Sequence, residues 1–260
     1  MAGEFIWYEL MTPDPAGAAA FYGAVVHWTI PATGDAMPNG SNYRLITRPD
    51  GGTAGGMLEL TPPMVEHGAR PLWLPYLHTP DIEATINKAV ALGASVHMGL
   101  QELPAGRMAM LGDPGGAPFY VMDPTPPEGQ PDAKSDVFSE TATHRCGWNE
   151  LAAPDEQAAR DFYSGLFGWE SPDGMDMGPQ GRYHFVAHGG QTLGAIYRQG
   201  NEEAGWRFYF RVPDIDAAIS RVTGNGGTVI DGPHDVPGND RVILARDPQG
   251  ATFGLAGAIE

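Results

Sequence analysis

The feature that most restricts how this chain can fold is that it repeats itself. Residues 7–28, WYELMTPDPAGAAAFYGAVVHW, lie over residues 148–169, WNELAAPDEQAARDFYSGLFGW, at a constant offset of 141, with nine identities in 22 positions. Three of those nine are tryptophan or proline, which composition alone does not supply: Trp7, Pro13 and Trp28 meet Trp148, Pro154 and Trp169. At an offset of 133, Trp73, Tyr76, Pro80, Asp81, Ile82, Ala84, Ile86 and Gly93 meet Trp206, Tyr209, Pro213, Asp214, Ile215, Ala217, Ile219 and Gly226. At 134, Asp113-Pro114 and Phe119 meet Asp247-Pro248 and Phe253. Two copies of one domain account for a length of 260 residues, about twice that of a common small domain. Residues 123–141, DPTPPEGQPDAKSDVFSET, have no sustained apolar period and read as an exposed connector. The expected division is a first domain over 1–125, a linker over 126–141 and a second domain over 142–260.

Inside each copy a shorter pattern occurs twice: a strand-like run, a Pro/Asp turn, a helix, then glycine-separated strand candidates. The four units fall at about residues 5–62, 72–123, 146–198 and 205–259. Asp14, Asp81, Asp155 and Asp214 are placed to cap the four helices, and Ala18, Phe21, Tyr22 and Val25 form the apolar stripe of the first. The fold class is therefore α+β, with helices on one face of each curved sheet and the other face left to form an open cup.

Lys plus Arg number 15 against 32 for Asp plus Glu, a net charge of −17. This balance excludes nucleic acid and anionic membrane as expected partners, because phosphate binding requires a basic footprint. Cys146 is the single cysteine, so neither an intrachain disulfide nor a thiolate metal cluster can form. The opening MAGEFIWYEL lacks a basic region before its apolar residues, and no apolar run approaches the roughly 18 residues of a membrane span, so a cytoplasmic location is expected. The eight histidines show no ligand spacing, and the glycine clusters 51–56 and 112–117 lack the spacing of nucleotide-binding loops. Neither metal nor other cofactor is expected.

Strand alternation then nominates a site. In the first strand Trp7, Glu9 and Met11 share one side. If the strands curl around a cavity, Trp7, Glu9, Met57, Glu59 and Trp73 line it in the first domain, joined by Tyr120. The second domain offers Trp148, Glu150, Ile196, Arg198, Trp206 and Phe208, closed by Gly254. Glu9 and its repeat partner Glu150 sit between aromatic neighbours, a setting suited either to proton transfer or to anchoring a strand. Arg198 is expected to neutralise Glu150, which leaves Glu9 as the catalytic candidate. Arg107 and Arg241 each follow a Pro/Gly loop and are placed either to steer an anionic ligand or to tie down the loop.

The motifs ELMTPDPAGAAAFYGAVVHW and ELAAPDEQAARDFYSGLFGW, PYLHTPDIEATINKAVALGA and YFRVPDIDAAISRVTGNGG, and the endings DPGGAPFYV and DPQGATFGL resemble the vicinal oxygen chelate superfamily. Glyoxalase I, the bleomycin- and fosfomycin-resistance proteins and the extradiol dioxygenases belong to it. The resemblance spans nearly the whole chain outside the linker and is greatest to tandem-domain, glyoxalase-like and bleomycin-resistance-like proteins. It implies two tandem domains, each a pair of βαβββ modules forming an open curved sheet around a cup. It also implies a divalent metal held by His and Glu near the first and last strands of each module. Carried onto this chain, those positions fall on Trp7, Met57 (or Glu59, two residues on), Pro75 and Tyr120, and on Trp148, Ile196, Phe208 and Gly254. Most of these residues cannot ligate a hard metal.

The leading expectation is thus a protein that binds a small, partly aromatic molecule in an aromatic-lined cup without a conventional metal site. Two alternatives stand beside it. One is a metal-independent isomerase, lyase or hydrolase with Glu9 as general base and Tyr120 as acid. The other is a structural or partner-binding protein whose cups are filled by their own side chains. The tandem chain is expected either as a monomer imitating the dimer of single-domain relatives or as a homodimer.

Overall fold

A computed structural model describes residues 1–37, 40–131, 133–200 and 203–259. Four modules succeed one another. The first comprises β1 (Phe5–Thr12), α1 (Pro15–Val26), β2 (Asp35–Ala36), β3 (Asn42–Thr47) and β4 (Thr53–Glu59), followed by the short α2 (Pro62–Glu66). The second is β5 (Leu72–His78), α3 (Ile82–Ala91), β6 (Ser95–Leu103), β7 (Gly106–Gly112) and β8 (Pro118–Pro124). The third is β9 (Cys146–Ala153), α4 (Glu156–Phe167), β10 (Gly174–Asp176), β11 (Arg182–His188) and β12 (Gln191–Arg198). The fourth is β13 (Gly205–Arg211), α5 (Ile215–Gly224), β14 (Thr228–Val236), β15 (Asp240–Arg246) and β16 (Thr252–Ala258). The strands form two eight-stranded sheets of the same order, β2-β3-β4-β1-β5-β8-β7-β6 and β10-β11-β12-β9-β13-β16-β15-β14. The α+β class and the four βαβββ units expected from the repeat are both present.

The local reasons are those visible in the sequence. Each longer helix opens on an aspartate that accepts backbone amides: Asp14 from Gly17 at 3.0 Å, Asp81 from Ala84 at 3.0 Å, Asp155 from Ala158 at 3.0 Å and Asp214 from Ala217 at 2.9 Å. In the parallel pairing of β1 with β4, Glu9 lies beside Gly56, Leu10 beside Met57, Met11 beside Leu58 and Thr12 beside Glu59. Gly55 permits this approach, since at φ +156° any Cβ there would overlap the Tyr8 carbonyl; Gly194 plays the same part against Asn149.

The chain divides into two compact units, and each draws on both halves of the sequence. One contains Met1–Ile6, Leu74–Ser135 and Asn149–Trp206, the other Trp7–Trp73, Asp136–Trp148 and Arg207–Glu260. In the second of these α1 packs on α5. The Tyr22 hydroxyl donates to Asp247 Oδ2 at 3.0 Å and accepts from Trp73 Nε1 at 2.9 Å, among the rings of Phe21, Trp28, Phe210 and Phe253. In the first unit α3 packs on α4, and Tyr163 donates to Asp113 Oδ2 at 3.2 Å among Phe5, Phe119, Phe162, Trp169 and Trp206. The Asp-Pro loops are built for this: Asp247 Oδ1 accepts the amides of Gln249, Gly250 and Ala251, and Asp113 Oδ1 that of Ala117, leaving Oδ2 of each for a tyrosine. Burial pushes both carboxyls above the usual aspartate range and both phenols well above the usual tyrosine value.

Residues 136–148 are pinned to their unit by charge. Arg48, 3% exposed, holds Asp136 through Nη2 at 2.6 Å and Asp50 through Nε at 3.1 Å, and Arg145 reaches the same two carboxylates at 3.0 and 3.1 Å. Val137 is buried, and a bridge between Phe138 and Cys146 continues into β9. Burial raises the Cys146 thiol to about 12, so it is not a reactive nucleophile. Among the described residues no helix is long and apolar enough to cross a membrane.

Candidate functional site

In each module one sheet face lies under a helix and the other does not, and register decides which face a side chain takes. In the first module Leu10, Ile46 and Met57 are fully buried on the helix side. On the opposite face stand Trp7 and Glu9 of β1, Gly56 and Leu58 of β4, and Tyr43 and Leu45 of β3. Trp7 Nε1 donates to the Tyr43 hydroxyl at 2.7 Å. That hydroxyl lies over Gly56, where a Cβ would overlap it, and Gly56 is the residue paired with Glu9. Glu9 is 2% exposed. The predicted pair Trp7 and Glu9 is therefore together on one face, with Tyr43 added.

Two residues expected beside them are placed elsewhere. Met57 is fully buried beside Leu10, and Glu59 pairs with Thr12, so register puts both on the opposite face from Glu9. Glu59 instead accepts from Asn42 at 3.0 Å and from Arg44 at 3.4 Å. Trp73 is also absent from the Trp7 face. It is spent in the aromatic core, on Tyr22, Trp28 and Phe210.

The third module repeats the arrangement of a buried glutamate and a phenol on one face. Glu150, 8% exposed, lies beside Ala195 and accepts the Tyr183 hydroxyl at 2.9 Å. Tyr183 packs against Tyr197 at 5.5 Å and Phe185 at 6.0 Å between ring centres. Arg198, expected to neutralise Glu150, is exposed beside Ala153, three positions along β12 from Glu150's neighbour and hence on the other face. Ile196 is buried beside Leu151 on that same far face. Trp148 is half-buried on β9.

The remaining candidates divide between core and surface. Tyr120, 3% exposed, stacks on Tyr76 at 4.2 Å and 24°. Gly254 is the floor beneath the Tyr209 ring, which would overlap any Cβ there. Phe208 is fully buried against Tyr8 at 5.0 Å, and Trp206 packs on Tyr163, Trp169 and Phe5. Arg107 forks onto Glu83 of α3, and Arg241 onto Asp216 of α5 and Asp235 of β14. Both arginines tie a strand to its own helix, which is the loop-anchoring alternative. Sequence reasoning missed Tyr43, Tyr183 and Arg207, the last a buried arginine, 5% exposed, on β13. The repeat aligns Tyr43 with Tyr183, and that signal would have found the two phenols.

The metal of the catalytic relatives does not fit here. At the expected ligand positions Met57 offers only a buried soft thioether, Ile196 and Phe208 buried hydrocarbon, and Gly254 no side chain at all. Among the described residues no group of three or more His, Cys, Asp and Glu is disposed to hold an ion.

The relationship to known proteins is direct. The sequence profile of the Glyoxalase/Bleomycin resistance protein/Dioxygenase superfamily matches residues 144–255, and that of the glyoxalase-like domain matches residues 7–122. The chain belongs to this superfamily, as two tandem glyoxalase-like domains. Among its relatives, the anthracycline biosynthesis protein DnrV of Streptomyces peucetius is 31% identical over 272 residues, covering 97% of this chain and 92% of DnrV. The protein CFP32 of Mycobacterium tuberculosis is 28% identical over 253 residues, covering 96% of this chain and 92% of CFP32. The Mn(II)-bound glyoxalase of Novosphingobium aromaticivorans superposes with a TM-score of 0.65 at 16% identity, over all of this chain and 83% of that one, which is a likeness of fold.

Proposed function

We propose that this protein binds a small, partly aromatic molecule on the aromatic, helix-free faces of its sheets, without a conventional divalent metal site. The observation that carries the reading is the hydrogen-bonded pair Trp7 and Tyr43 beside buried Glu9: two rings for stacking and apolar burial, with one carboxylate to orient a polar group. DnrV is named for anthracycline biosynthesis, and small-molecule work of that kind supports the reading. A second reading, metal-independent acid–base chemistry with Glu9 as general base, is favoured by the burial of that carboxylate beside the glycine that seats a phenol. We also propose a cytoplasmic location and sequence domains over 1–125 and 142–260, the latter supported by the repeat at an offset of 141.

The test is a titration of the wild type and Trp7→Phe with a panel of neutral aromatic compounds, followed by calorimetry and tryptophan fluorescence. Saturable binding that weakens about tenfold in the variant is the expected result. Stoichiometric binding that requires added Mn²⁺ or Zn²⁺ would overturn the metal-free reading, and equal affinity in Trp7→Phe would remove the site from this face.

A further inference from the structure

The second module carries a surface that none of the motifs announced. Pairing of β5, β8 and β7 sets Tyr76, Tyr120 and Met110 in one row, and Met98 of β6 continues it. The next row runs His78, Met122, Met108 and Gln101. Residues of the intervening rows point the other way: Leu77, Val121, Ala109, Leu111 and Phe119 are fully buried, and α3 packs against β6, β7 and β8. Arg107, Glu83's partner, belongs to that helix side as well. Four methionines and two tyrosines thus share the face that α3 leaves uncovered. Met98, Met110 and Met122 are half-buried there and accessible, unlike the hydrocarbon beneath the helix, while Met108, Tyr76 and Tyr120 are buried between them and the rest of the sheet face.

Three observations assign this face an occupant. First, it is particular to one half. At the same offset of 134 that relates the two Asp-Pro loops, Met108, Met110 and Met122 correspond to Val242, Leu244 and Ala256, so the shared fold does not require the thioethers. Second, the charged neighbours Arg107 and Asp123 alternate to the helix side, and these rows present no Lys, Arg, Asp or Glu, their polar members being His78 and Gln101 at the two ends of one row, although the chain carries a net charge of −17. A ligand portion lying here is neutral. Third, thioethers are polarisable, unbranched and favourable against ring edges and faces, and the Tyr76–Tyr120 stack sets a flat aromatic neighbour beside them.

We infer that the face formed by Met98, Met108, Met110 and Met122 beside the Tyr76–Tyr120 stack is a binding platform for an uncharged, planar aromatic ring system. This deepens the proposed function and rests on it.

The test uses the full chain with ¹³C-labelled methionine methyls and ¹⁵N-labelled indoles, assigned by single Met→Leu and Trp→Phe changes. The probes are 1,4-dihydroxyanthraquinone and 1-naphthol, with cyclohexanol as the non-aromatic control. Both aromatic probes are expected to shift the methyls of Met98, Met108, Met110 and Met122 upfield and saturably, with Met175 and Met177 unmoved and cyclohexanol at least about tenfold weaker. Transplanting the second-half residues, Met108→Val with Met110→Leu and Met122→Ala, is expected to weaken binding about tenfold. Four methyls that stay still up to about 1 mM probe, or that move no more than Met175 and Met177, overturn the platform. If the Trp7 indole shifts while the four methyls do not, the platform is wrong and the binding reading survives. If neither responds to either aromatic probe, both fail.

Discussion

At Gly56 the absence of a side chain is what lets the Tyr43 hydroxyl settle over the backbone next to Glu9 and take the Trp7 N–H at 2.7 Å. Gly56→Ala is therefore expected to lift the phenol, break that bond and cost about 1–3 kcal/mol in chemical denaturation, with weaker ligand binding. Ala195, which lies beside Glu150 as Gly56 lies beside Glu9, is the counterpart, and there the Tyr183 phenol donates to the glutamate at 2.9 Å. Glu9→Gln keeps shape and volume. It is expected to leave the midpoint of unfolding nearly unchanged while lowering any turnover by about 10²-fold or more, and a fully active variant would show Glu9 to be a structural acceptor. Trp7 and Glu9 were legible because alternation within one strand needs only the period of two. Met57, Glu59 and Arg198 were not, because the face they take depends on register between parallel strands. Register here turns on the close approach at Gly55 and Gly194.

Elements are joined by the two buried tyrosine–aspartate braces, and these explain why Phe-Tyr and Asp-Pro recur in the repeat. Asp247→Ala would strand the Tyr22 hydroxyl and three loop amides, and is expected to cost about 3 kcal/mol, with Asp247→Asn milder because it keeps an acceptor. The sign of the pH effect follows from burial. Asp113 and Asp247 have folded values raised above the unfolded ones, so the folded state holds more protons in between. Their contribution is fully present below the ordinary aspartate value and is lost as pH rises through the folded value. Asp50, lowered to about 2 chiefly by the Gly52 amide and then by Arg48, and Asp136, lowered by Arg48, act oppositely: their contribution is present above the ordinary value and lost as pH falls through the folded one. Unfolding curves from about pH 2 to 7 are expected to show the Asp113→Asn/Asp247→Asn double variant losing less stability than wild type as pH rises through the raised values. An unchanged pH slope would mean that the braces do not titrate. Helix starts and loop types were legible here because caps and turns are local. Which helix meets which was not.

That ambiguity belongs to the whole molecule. By sequence the Asp-Pro loops at 113 and 247 are equivalent partners for Tyr22, and so are they for Tyr163, because a repeat makes its own modules interchangeable. The structure resolves the choice across the halves: Tyr22 takes Asp247 and packs on Phe253, while Tyr163 takes Asp113 and packs on Phe119. Each half alone would then leave fully buried aromatic rings and a desolvated hydroxyl without the groups that cover them, a loss larger than a marginally stable domain tolerates. A protease site inserted after Gly129, in the exposed part of the connector, tests this. After cleavage the two fragments are expected to co-elute with a native near-ultraviolet circular dichroism spectrum. Separated in denaturant and refolded singly they should lose that spectrum or self-associate, and mixing them should restore it. Cooperative unfolding of either fragment as a monomer with the native aromatic signal would show that the contacts across the halves are dispensable, and that each half carries a complete core of its own.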